Sequence, residues 1–283
     1  MKKANYFKVM SITLIGLWLT VFAIVPNCLI IFASFLSHNQ QHLLKLPFTF
    51  ENYHQIFQIS YAKVFLQSFW VASIVTAFCL FIGYPFAYLL ACTTPRYQTL
   101  LLLLIMIPFW MSSLVRTYAI MILLKAKGLI NSLLIWMGII HHPLQLLYST
   151  HAMIIGLIYS LLPFMILPLY ASIEKLDDTL IEAARNLGAS KTKVFWRIII
   201  PLTKPGIIAG ILLVFLPAMT LFYIPEILGG AKSLLLGNLI ENEFLQITNW
   251  PLGSTMSTLL LLLMAILLLL FWKTIKTSSE ELA

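Results

Sequence analysis

Six stretches of this chain are each long enough and apolar enough to cross a membrane: residues 9–36, 64–91, 99–124, 151–173, 205–225 and 254–273. A helix needs about 20 consecutive apolar residues to span the hydrocarbon core. Runs of this length exceed a barrel strand, and nothing in them alternates with period two. The pattern predicts an all-α integral membrane protein with about six transmembrane helices. Composition agrees, with 60% apolar and 10% charged residues, where soluble chains carry about 25% charged residues. The net charge of +8 would suggest nucleic acid for a soluble protein. Here it has a simpler origin, because basic residues collect in loops that stay in the cytoplasm. With the N-terminus inside, Lys45, Lys63, Arg116, Lys125, Lys127 and Lys232 fall in outer segments. The remaining twelve of the 18 Lys and Arg fall inside, so the bias places both termini in the cytoplasm.

Met1-Lys2-Lys3 precedes a run longer than a signal-peptide core, and no small-x-small cleavage site follows. It reads as an uncleaved first helix. Cys28, Cys79 and Cys92 form no C-x-x-C pair and read as small apolar fillers. Pro26, Pro85, Pro108, Pro163, Pro168, Pro217 and Pro225 fall within or beside five of the runs. Each removes a backbone donor and tends to kink a helix. Such kinks serve either as packing irregularities or as breaks in a moving bundle. Gly206 and Gly210, and Gly83 with Ala87, have the small-x-x-x-small spacing that lets helices approach closely. The spacing leaves open whether the neighbour belongs to this chain or to another.

The most informative loop, Asp178 to Pro205, reads DTLIEAARNLGASKTKVFWRIIIPLTKP. Thr179 and Glu182 have capping-box spacing. Leu180, Ala183, Ala184 and Leu187 follow at i, i+3, i+4 and i+7, which makes one apolar stripe on a short helix. Gly188 suits a left-handed helix end. Ser190 can cap a second helix through Phe195 and Trp196 to Ile200, with Pro201 as its stop. Pro205 suits the first turn of the fifth run. A helix this short is not stable alone in water. Its stripe must bury either on the membrane surface or in a groove of another protein.

Glu182-Ala183-Ala184, Gly188, Ile198 and Ile200-Pro201 resemble the EAA loop of type I, binding-protein-dependent ABC-importer permeases, E-A-A-x-x-x-G followed by I-x-L-P. Ile200 stands where that pattern has leucine. Met106-Ile107-Pro108-Phe109-Trp110, Leu161-Leu162-Pro163-Phe164-Met165, Leu216-Pro217-Ala218-Met219 and Gly229-Gly230-Ala231-Lys232 are similar to segments of spermidine/putrescine permeases, closest to the first of their two permease subunits. The resemblance covers nearly the whole chain. It implies an N-terminal helix and outer loop over 1–62, a type-1 permease domain over 63–275 with its EAA loop at about 174–204, and a short cytoplasmic tail over 276–283. It implies a multi-pass protein of a bacterial inner membrane. The implied partners are two ATPase subunits, a second homologous permease, a periplasmic polyamine-binding protein and membrane lipid, with no nucleic acid. Leu180, Glu182, Ala183, Ala184, Leu187 and Gly188 would be the residues that couple to the ATPase.

No G-x-x-x-x-G-K-[ST] loop occurs, so this chain is expected to be a transport subunit and not an enzyme. It is expected to bind no cofactor of its own, with ATP and Mg on the partner ATPase. Polyamines pair cationic nitrogens with methylene spacers, which suit carboxylates and aromatic faces. Trp110, Tyr118, Tyr159, Phe222, Tyr223 and Trp250 are candidate walls of a path. Glu226 is the preferred carboxylate among Glu51, Glu226, Glu241 and Glu243. Arg116, the one charge well inside the third run, reads as a gate or a structural ion pair, with Glu226 as a partner in reach. The six histidines, His38, His42, His141, His142 and His151 among them, complete no metal-site spacing. Competing readings are an ABC permease for sulfate, molybdate, iron or thiamine, and an autonomous secondary carrier. The carrier reading wants midplane acids and inverted repeats, and the second, fourth and sixth runs contain no acid.

Overall fold

The computed structural model describes residues 2–39, 42–230 and 234–280. The Gly229-Gly230-Ala231-Lys232 segment is therefore described only through Gly230. The long elements follow the apolar runs. They are α1 (Lys2–Leu19), α2 (Val25–Ser34), α4 (Ile59–Ala91), α8 (Thr150–Ile173), α12 (Lys204–Thr220) and α14 (Trp250–Glu280). Between them lie α3 (Glu51–Ile56), α5 (Pro95–Met106), α6 (Ser113–Leu124), α7 (Leu129–Trp136), α9 (Asp178–Asn186), α10 (Lys191–Val194), α11 (Ile200–Leu202) and α13 (Leu236–Glu241). Among the described residues five helices are long and apolar enough to cross a membrane, or six if a pair bent by 65° counts as one. A bulged antiparallel hairpin, β1 (Leu36–Asn39) with β2 (His42–Phe48), is the one β element among the described residues.

Two runs differ from the sequence reading. The third is not one helix over 99–124. After α5 the chain tightens into a 3₁₀ turn, Ile107–Trp110, and Met111 is extended before α6 begins. Pro108 has no N–H to continue the ladder, so the break falls where the proline sits. The fifth run stops at Thr220 instead of continuing to 225, because Leu221 turns extended and Pro225 opens a separate wide turn, Pro225–Gly229.

The chain divides into two compact units. The larger comprises Lys63–Asn238 and Ile266–Ala283. Its core is the α8–α12 pair, with Met153, Leu157, Met165, Leu169, Val214 and Met219 fully buried. In lipid, helix association depends on close packing, since tails are as apolar as leucine. The glycines supply that closeness, and their neighbour lies in this chain. A Cβ at Gly206 would overlap Ser172 Cβ and stand 2.7 Å from the Pro168 carbonyl oxygen. One at Gly210 would stand 2.5 Å from Met165 Sδ, and one at Gly83 would stand 3.1 Å from Met165 Cγ. Met165 of α8 is thus gripped between α4 and α12.

The smaller unit comprises Met1–Ala62 and Leu239–Ala265. Ile56, Leu252 and Met256 form its small core, with Tyr61, Leu239, Ile240 and Leu259 packed around them. Asn52 Nδ2 donates to the Ser34 and Leu36 carbonyls at 3.0 and 2.8 Å, and Thr255 Oγ1 donates to the Ser34 carbonyl at 3.2 Å. These bonds tie the end of α2 to α3 and α14. The span Met10–Ser34 buries almost nothing.

Two prolines are accommodated by the same device. Thr20–Ile24 and Phe195–Ile199 are π turns, in which Val25 N–H reaches Thr20 O and Ile200 N–H reaches Phe195 O. Pro26 and Pro201 each stand two residues after such a turn. The wider turn relieves the clash between a proline ring and the preceding turn of backbone.

Candidate functional site

The loop between α8 and α12 has two parts of different character. The first is α9. Its N-cap is Asp177, not Thr179: Asp177 Oδ1 accepts the Thr179 N–H at 2.9 Å. The helix therefore starts earlier than the capping-box reading places it. The aspartate carboxylate also complements the positive helix end, which a hydroxyl does not. That hydrogen bond holds the Asp177 carboxyl below its ordinary value. At the other end Gly188 has φ +81°. Its N–H reaches the Arg185 carbonyl at 2.9 Å, and the Ala189 N–H reaches the Ala184 carbonyl at 3.1 Å. This pair of bonds is the Schellman closure that favours glycine.

Between these closures α9 is amphipathic. The stripe points away from the chain: Leu187 is 89% exposed, Leu180 49% exposed, Ala183 exposed and Ala184 half-buried. Ile181, Glu182 and Arg185 border a polar cavity of about 530 Å³, which also meets Tyr88, Cys92, Gln98 and Glu174. Glu182 is itself exposed at its rim. Leu180 also touches a second, mostly apolar cavity of about 560 Å³, walled by Pro168, Ser172, Leu202 and Gly206.

The second part is the arm, residues 191–202. Ser190 caps it as expected, accepting the Lys193 N–H at 3.4 Å. Pro201 does not stop it. The π turn carries the helix through to Leu202, and the break falls at Thr203, where the axis bends by 65° into α12. Pro205 occupies the first turn of α12, as its spacing predicts. Val194 and Ile199 are 2% and 3% exposed. Phe195 meets Tyr84 and Tyr88 of α4 edge-on, at 5.7 and 6.4 Å.

The path candidates lie apart from this loop in sequence. Tyr118 on α6 and Tyr159 on α8 belong to helices that pack on each other and on the Pro225–Gly229 turn carrying Glu226. Both tyrosines are about half exposed, Trp110 is 80% exposed and Glu226 is exposed. Tyr223 is half-buried, edge-on to Phe222 at 5.9 Å. Trp250 belongs to the smaller unit, where its ring meets Phe244 at 5.8 Å. Arg116 lies over the Phe109 ring at 5.2 Å. Its buried Nε has no hydrogen-bond partner among the described residues.

Sequence reasoning underrated Glu243. Only 3% of it is exposed, Tyr61 hydrogen-bonds it, and its Oε2 is buried without a partner. Burial raises its carboxyl above the ordinary range. A signal was present: Leu236, Leu239, Ile240 and Glu243 follow i, i+3, i+4, i+7, which puts an acid on an apolar stripe.

Residues 83–275 match the family described as "Binding-protein-dependent transport system inner membrane component". The chain belongs to that family. It is therefore a multi-pass inner-membrane transport component, and the loop 174–204 lies inside the matched region. The spermidine/putrescine transport system permease protein PotB of Salmonella typhimurium (strain SL1344) is 46% identical over 284 residues, covering 100% of this chain and 99% of that one. PotB of Escherichia coli (strain K12) is 49% identical over 264 residues, covering 93% and 96%. In fold, the chain is similar to one from a bacterial alginate ABC transporter crystallised with an alginate pentasaccharide-bound periplasmic protein. The TM-score is 0.76 at 15% identity, covering 95% of this chain and 93% of that one. The architecture is that of type I ABC importer permeases.

Proposed function

We propose that this chain is the permease subunit of an ATP-driven polyamine importer, forming the translocation path with a second permease and taking its drive through α9. Both termini and the α8–α12 loop face the cytoplasm. The partners are two ATPase subunits, which hold ATP and Mg, a homologous second permease and a periplasmic polyamine-binding protein. The substrate class rests on the full-length identity to spermidine/putrescine permeases. The coupling role rests on one observation, the uncovered apolar stripe of a helix closed at both ends.

In this reading Leu180, Ala183, Ala184 and Leu187 fill a groove of the ATPase. Glu182, at the cavity rim, takes a basic side chain there. Gly188 sets the angle at which α9 leaves the arm. ATP drives the two coupling helices together and opens the bundle outward, and hydrolysis resets it, since the nucleotide binds the two states with different affinity. Tyr118, Tyr159, Trp110, Tyr223 and Trp250 offer aromatic faces to a polycation. Glu226 offers a carboxylate, and Arg116 acts as a gate resting on Phe109.

The test is uptake of radiolabelled spermidine and putrescine into proteoliposomes holding the whole complex, with and without ATP. Leu187→Asp is expected to abolish ATP-dependent uptake while the chain remains folded, because Leu187 touches almost nothing in its own subunit. ATP-dependent uptake of a different solute would retain the permease and remove the polyamine. Uptake by this chain alone on an ion gradient would remove the coupling role.

A further inference from the structure

A one-residue break with a 65° bend, such as the one at Thr203, ordinarily serves as a hinge. Here the break is pinned. Thr203 is fully buried, its N–H and Oγ1 both reach the Ile199 carbonyl, at 3.0 and 2.8 Å, and its own carbonyl accepts the Ile207 N–H at 3.0 Å. The ladder of the arm therefore continues through the bend into α12. Tyr84 of α4 closes the arrangement, with its hydroxyl 3.0 Å from Thr203 Oγ1. Thr203 Oγ1 also lies 3.2 Å from the Ile200 carbonyl, and either hydroxyl of the Tyr84–Thr203 pair can donate. The ring of the same tyrosine meets Phe195 edge-on at 5.7 Å, nearer the other end of the arm.

We infer that Tyr84 and Thr203 are positioning residues that make the arm and α4 move as one body, so that displacement of α9 enters α4 as well as α12. Tyr84 holds the arm at two points, the ring at Phe195 and the hydroxyl at Thr203. With Val194 and Ile199 already buried, these two contacts fix the rotation of the arm against α4. The inference rests on the proposal that α9 receives the drive from an ATPase. It adds the route by which that drive reaches a helix remote in sequence from the loop.

The experiment uses the assembled complex in proteoliposomes, with spin labels at Lys193 of the arm and Leu89 of α4. Both sites are exposed, and Cys28, Cys79 and Cys92 are replaced by alanine. The label-to-label distance is expected to be the same in the nucleotide-free and ATP-bound states of the parent, and to differ between those states in Tyr84→Phe. A distance that changes in the parent overturns the inference. The second readout is ATP hydrolysed per substrate transported. It should rise about five-fold in Tyr84→Phe and in Thr203→Val, no further in the double variant, and stay at the parent value in Thr203→Ser, which keeps the hydroxyl. If both single variants keep the parent ratio and only lose thermal stability, the pair is merely structural and the inference fails. If the parent transports no polyamine, the substrate proposal falls, and the distance measurement still decides this one.

Discussion

Helix α9 and the arm that follows it are neighbours in sequence, yet they are held in opposite ways. Inside α9 almost nothing is anchored. Asp177 and the Gly188 closure fix its ends, its stripe faces outward and its other side borders a cavity. The arm is seated along its length by Val194, Phe195 and Ile199, and pinned at Thr203. The difference separates two tasks. A surface meant for a partner must stay uncovered until the partner arrives. An element that passes a displacement on must not yield to it.

The sharpest way to break this comparison is to truncate one side chain in each part. Ile199→Ala in the arm is expected to destabilise the subunit by about 3 kcal/mol. Leu187→Ala in α9 is expected to change subunit stability by less than about 0.5 kcal/mol while weakening co-purification with the ATPase. Thermal unfolding in detergent, with a pull-down of the complex, measures both. Equal losses of stability would show that α9 is seated after all. A smaller effect is expected at the junction of the two parts. Gly188→Ala forces a side chain into the left-handed region at about 1–2 kcal/mol, so α9 leaves the arm at another angle. ATP-dependent uptake should fall about ten-fold, with the isolated subunit losing no more stability than that strain.

The smallest effects come from pH, and two carboxylates make them separable. Asp177 is depressed by its bond to the Thr179 N–H. Its contribution is complete above the ordinary aspartate value of about 3.9 and is lost as pH falls through the lower folded value. Glu243 is raised by burial. Its contribution is complete below the ordinary glutamate value of about 4.3 and is lost as pH rises through the higher folded value. Glu243→Gln should therefore raise the melting temperature most near pH 8 and least near pH 4. Asp177→Ala should speed amide exchange at Thr179 and Leu180 near pH 7 and leave it unaltered once Asp177 is protonated.

What could be read without coordinates follows the range of the forces involved. The spans were legible because length and hydropathy alone select a transmembrane helix. The Gly188 end and the Ser190 cap were legible because each is decided within a few residues. The choice between Asp177 and Thr179 was local too, but both are competent caps, and spacing alone favoured the wrong one. Hydropathy is blind to backbone dihedrals, so the break at Pro108–Met111 passed as continuous helix. The partner of the Gly206/Gly210 seam, the pin between Tyr84 and Thr203 and the burial of Glu243 against Tyr61 all join residues far apart in the chain. No periodicity in one segment reports on those.

The pairing of a π turn with a following proline has a consequence for how such a chain can change over time. Each wide turn holds one residue more than a regular turn. Deleting it would rotate everything downstream by about 100° about the axis, turning Thr203 away from Tyr84 in one case and re-aiming the rest of the first span in the other. Deleting it while keeping the proline would also restore the clash that the wide turn relieves. The extra residue and the proline therefore form one structural unit. Length variation among descendants of this chain should come in single-residue steps at Thr20–Ile24 and Phe195–Ile199, each accompanied by gain or loss of its proline.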